Sequence, residues 1–135
     1  MKRALAILAV GLALSGTSLA GVSTFDDVTV GNTGVPMPAG YDGFTWSNFG
    51  VVSGVAYYDN PSGYANGVVS AANVAYNLYG EPAQFSAASA FDLVGAYFTA
   101  AWNDALLIEV RGYLGGDLVG SSSFRVDTTE PLWWA

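Results

Sequence analysis

Along most of the chain, polar and apolar residues change places over stretches too short for helical turns. Phe44-Thr45-Trp46-Ser47-Asn48-Phe49 alternates aromatic with polar side chains, the period of a strand with one buried face. The same reading predicts strands over residues 24–30, 51–58 and 73–77. Gly31-Asn32-Thr33-Gly34, Asp59-Asn60-Pro61-Ser62-Gly63 and Asn66-Gly67 supply the turns between them. The C-terminal third carries the clearest pattern. Residues 91–102, 105–114 and 117–126 read as three strands in a meander, joined at Asn103-Asp104 and Gly115-Gly116. In the middle one, Leu106, Ile108, Val110 and Leu114 fall on one face, with Leu107, Glu109, Arg111 and Tyr113 on the other. Residues 86–90 fit a helical turn or a loop. Pro131-Leu132-Trp133-Trp134-Ala135 reads as one more strand that buries its rings; an exposed aromatic patch and a truncated chain are the alternatives. The pattern predicts an all-β protein, an antiparallel β-sandwich of the jelly-roll kind, incomplete at its C-terminus if strands follow Ala135.

The first 20 residues follow a different rule. Lys2 and Arg3 precede an apolar run from Ala4 to Gly16, and Ser18-Leu19-Ala20 places small residues at −3 and −1 of a cleavage site. This predicts a helical signal peptide over 1–20, a single domain over 21–135, and a protein that is secreted, extracellular or periplasmic. The run is short for a bilayer span and no second one follows, so the mature chain is expected to have no transmembrane segment.

Charge narrows the partners. Residues 21–135 hold two cations, Arg111 and Arg125, against eleven acids, a net charge of −9. Such a chain repels phosphate backbones, which predicts no nucleic-acid partner. With no His and no Cys, it has no Ser-His-Asp triad, thiol nucleophile, disulfide or lipobox anchor.

Two constellations remain. Asp26-Asp27 is the nucleus of a speculative structural calcium site, because Ca²⁺ takes several carboxylate and carbonyl oxygens. Neighbouring strand residues point to opposite faces, so a solvated strand end is the plainer reading. Tyr57, Tyr58, Asp59, Asn60 and Tyr64 interleave aromatic faces with acids and amides around a loop. That mixture binds sugars: rings stack on a pyranose face while Asp and Asn meet its hydroxyls. The alternative is a tyrosine packed in the core beside an ordinary polar turn. Glu81, Glu109 and Glu130 are the glutamates a glycosidase pair could draw on, and no motif couples them.

Phe25-Asp26-Asp27, the stretch from Met37 to Phe49, Gly63-Tyr64-Ala65-Asn66-Gly67, Asn73-Val74-Ala75-Tyr76-Asn77 and Phe98-Thr99-Ala100-Ala101-Trp102 together resemble small secreted bacterial proteins of the PEP-CTERM type. The resemblance implies a galactose-binding-like β-sandwich. It implies no activity and carries no site residues. Such proteins continue past the Pro131 region into a Pro-Glu-Pro-like motif, an apolar helix and basic residues, and this sequence does not. The combined expectation is a secreted, non-catalytic protein that binds extracellular polysaccharide or cell-surface material. A structural matrix component without a small ligand is the alternative, and a glycoside hydrolase the third.

Overall fold

The computed structural model describes the backbone of residues 4–9 and the whole of residues 21–135. Strands dominate: β1 (Ala4–Ala9), β2 (Val35–Pro36), β3 (Thr45–Ser47), β4 (Phe49–Ser53), β5 (Asn73–Asn77), β6 (Ala83–Ser86), β7 (Ala96–Phe98), β8 (Leu106–Leu114), β9 (Asp117–Val126) and β10 (Leu132–Trp134). A single helical turn, α1 (Gly63–Asn66), follows β4. The protein is all-β. One sheet runs β3-β6-β1-β8-β9, a second β2-β4-β5, and a two-stranded ribbon joins β7 to β10. Every pairing is antiparallel except those of β1, which runs parallel to both β6 and β8.

The β8–β9 hairpin matches its sequence pattern. Ile108 and Val110 are buried, and β9 turns Ser122, Phe124 and Val126 to the same side. Gly115 and Gly116 sit at φ 60° and 99°, a left-handed turn that glycine takes at no steric cost. Ala100, Ile108, Val110 and Val126 form the core, with Phe85, Phe91, Leu93, Phe98 and Trp134 packed around them.

Four elements predicted within residues 21–135 differ. Residues 24–30 are not a strand: Phe25 has φ 65°, and the N–H of Val28 closes a turn onto its carbonyl at 3.1 Å. The stretch 44–49 breaks at Asn48, φ 59°, whose side-chain amide donates to the carbonyls of Leu78 and Pro82. Thr45–Ser47 therefore joins one sheet and Phe49 opens a strand of another. The strand expected over 51–58 ends at Ser53, whose Oγ and carbonyl accept the N–H groups of Ala56 and Tyr57. Only Ala96–Phe98 of the long strand expected at 91–102 is extended in a sheet. It pairs with β10 and not with β8, so the three-strand meander reduces to a hairpin.

The apolar run expected as a leader helix is a strand over Ala4–Ala9. β6 and β8 offer it a backbone edge on each side. The cleavage motif at Ser18-Leu19-Ala20 lies outside the described residues.

At the C-terminal end the two indoles part ways. Trp134 stacks on Phe124 at 6.2 Å, meets Phe98 edge-on, and its Nε1–H donates to Ser122 Oγ at 3.2 Å. Trp133 leans on Tyr97 and stays 53% exposed. Trp134→Ala is therefore expected to cost about 2 kcal/mol, and Trp133→Ala less than about 1 kcal/mol. Urea denaturation of both variants checks this, and equal losses would contradict the packing.

Candidate functional site

The loops after β4 and around α1 gather the aromatic residues of a depression of about 240 Å³. Its walls are Thr33, Gly34, Val52, Tyr57, Tyr58, Tyr64 and Tyr76. The scaffold beneath them is built from short polar side chains that bond to nearby backbone. Asn60 donates its amide to the carbonyls of Gly54 and Val55 and accepts from Ser62 Oγ at 2.8 Å. Ser62 in turn caps α1 by accepting the N–H of Tyr64. The N–H of Tyr58 donates to the Asn32 carbonyl, which draws the 31–34 loop across the depression.

The rings then meet tilted or edge to face. Tyr57 lies 4.8 Å from Tyr58 and 5.1 Å from Tyr64, and Tyr64 lies 5.6 Å from Tyr76. Trp102 joins from the far side, 6.1 Å from Tyr57 and 5.8 Å from Tyr64. Tyr58 and Trp102 stand 66% and 50% exposed, so both offer surface to solvent while their neighbours hold them.

The phenols of Tyr57, Tyr64 and Tyr76 are neutral over the physiological range. Burial, then the hydrogen bond with Tyr58, pushes Tyr57 up to about 12. Burial also raises Tyr64 and Tyr76. Each hydroxyl remains both a donor and an acceptor.

Of the residues predicted to bind, Tyr57, Tyr58 and Tyr64 come together. Asn60 sits beneath them as scaffold and Asp59 is exposed on the adjoining turn. Sequence reasoning missed Tyr76 and Trp102. Both carried a signal, since Tyr76 lies beside an amide in Tyr76-Asn77 and Trp102 precedes the turn Asn103-Asp104. Only the pairing of β5 with β4 and the path of residues 99–102 bring them to the tyrosines.

Asp26 and Asp27 diverge. Both oxygens of Asp26 accept backbone N–H groups, from Ala71 and from Ala72 and Asn73, at 3.0–3.1 Å. Asp27 Oδ1 accepts the Tyr41 hydroxyl at 2.8 Å. Donors aimed at these oxygens present positive ends where a cation would sit, and among the described residues no group of three or more His, Cys, Asp or Glu could hold a metal. Glu109 is ion-paired with Arg111 at 2.7 Å.

A second depression, also about 240 Å³, is lined by Trp102 together with Ser62, Asn66, Ala101 and Thr128. Asn66 Nδ2 donates to the Thr128 carbonyl at 2.8 Å, and the Thr128 hydroxyl to Asp104 at 2.7 Å. No family model matches the chain, and no curated protein and no solved structure is similar to it at a significant level.

Proposed function

We propose that the protein is a secreted, non-catalytic β-sandwich whose tyrosine depression binds extracellular polysaccharide. Residues 1–20 serve as its export leader. In this reading β3, β6, β8 and β9 on one side and the β7–β10 ribbon on the other are facing layers of a jelly-roll, as in the PEP-CTERM-type proteins the sequence resembles. The observation that carries the binding role is the depression itself. The phenols of Tyr57, Tyr58, Tyr64 and Tyr76 line a cavity that exposes Tyr58, and the exposed Trp102 packs on Tyr57 and Tyr64 beside it. A pyranose presents an apolar C–H face to such rings and hydroxyls to the phenols.

A glycan array probed with the protein, followed by titration of the best binder, tests the role. Tyr58 is exposed enough that Tyr58→Ala leaves the fold intact, and the variant should bind about 3- to 10-fold more weakly, the worth of one lost stacking contact. An array without signal, or a Tyr58→Ala variant that binds like the parent, would count against the role.

A second reading, a structural matrix component, draws support from β9. This ten-residue strand exposes Leu118 and Val119, each 55% accessible, beside a backbone edge that no strand among the described residues pairs. Its signature is self-association that no glycan alters.

A further inference from the structure

We infer that the site reads at least two consecutive units of an uncharged polysaccharide, crossing Trp102 from the tyrosine depression to the one lined by Thr128. This rests on the carbohydrate reading above. Either depression alone falls below the roughly 300 Å³ lower bound of small-molecule clefts, which suits one ring and no more. They are not independent. Tyr57 and Tyr64 wall the first, Trp102 walls the second, and the three rings touch one another at 5.1–6.1 Å. The exposed indole thus forms the ridge between them, where the link from one sugar to the next would pass.

The two sides differ in chemistry. The first is phenolic and apolar. The second places the Ser62, Asn66 and Thr128 side chains around Trp102, and the Asn66 bond to Thr128 fixes the spacing of its rim. The backbone couples the sides as well, because the N–H of Gly63 donates to the Ala101 carbonyl at 2.9 Å and so ties α1 to the residue before Trp102.

Charge sets the class of chain. Asp59 follows Tyr58 of the first depression in the chain, and Asp104 holds Thr128 at the second. Arg111 is engaged by Glu109 on β8, and Arg125 donates to the Ala105 carbonyl. Neither lines either depression. With a net charge of −9 over residues 21–135, uronates and sulfated sugars meet repulsion and no ion-pair partner.

Calorimetric titration with oligomers of one to six units from glucan, mannan and galactan backbones tests the inference, with oligogalacturonates as the charged control. The expected result is a rise in affinity of tenfold or more between one unit and three in at least one neutral series, with the uronates at least tenfold weaker. Trp102→Ala flattens that rise, and Trp102→Phe, which keeps a smaller ring and guards against a folding defect, retains part of it. Affinity that does not change with length, or uronates that bind as well as neutral chains, overturns the two-unit neutral site and leaves the carbohydrate reading standing. Failure of every oligomer to bind overturns both.

Discussion

Replacing Gly63 with alanine is expected to destabilise the protein by about 3–5 kcal/mol, lowering Tm by roughly 10–20 °C. A Cβ at this position would run into the Ala100 carbonyl oxygen and stand 2.7 Å from the carbonyl carbon and 3.0 Å from Ala101 Cα. All three atoms are backbone, so no side chain can rotate out of the way. Ala100 is fully buried in the core cluster, which leaves its peptide little room to shift. The damage would reach the candidate site, because Gly63 starts the turn that carries Tyr64 and bonds to the residue before Trp102. Thermal melts of Gly63→Ala beside Gly120→Ala provide the comparison, since a Cβ at Gly120 meets nothing within 4 Å. Equal melting temperatures would show that the backbones of α1 and residues 100–101 do not touch.

Asp26 is expected to carry the largest single acid-sensitive contribution. The N–H groups of Asn73 and Ala72 hold its carboxyl well below the usual carboxylate range, Ser70 and Ala71 add to this, and partial burial opposes it. Its folded value lies below the unfolded one, near 3.9, so the carboxylate stabilises the fold fully above that pH. Stability is then lost progressively as pH falls below about 4, where the unfolded chain takes up a proton that the folded chain resists. Asp104 shifts the same way through the hydroxyl and N–H of Thr128. Asp26→Asn keeps the shape and removes the charge, and should cost about 2–4 kcal/mol at pH 7, as charge-assisted hydrogen bonds are worth about 1.5–3 kcal/mol each and add incompletely. Urea unfolding of both proteins from pH 7 to pH 3 should show their stabilities converging. Parallel curves would mean that the Asp26 carboxylate does not hold residues 71–73.

What the sequence made legible follows from where the determining contacts lie. Residues 117–126 and 73–77 were read with the observed boundaries, since alternation and neighbouring turn residues decide them locally. The failures at 24–30 and 51–58 share a cause. Asp26 reaches 45 to 47 residues along the chain, and Ser53 takes two N–H groups into its own turn. A side chain that competes for backbone donors outweighs strand propensity, and periodicity cannot reveal it. The same limit applied at the site. Tyr57, Tyr58 and Tyr64 are close in sequence and could be grouped by inspection. Tyr76 and Trp102 join them only through strand pairing and the packing of a loop.

Under the proposed reading of residues 1–20 as an export leader, the placement of β1 gives its removal a structural consequence. Ala4–Ala9 lies in register with six residues of β8 and three of β6, in the middle of the five-stranded sheet. Cutting the chain after Ala20 would remove a central rung and leave two parallel edges roughly 10 Å apart, each lined with unpaired N–H and C=O groups. The precursor and the processed chain would then be different folding problems. In that reading the N-terminal segment would occupy two adhesive edges in the precursor, and its removal would leave the sheet to close or to take in another strand.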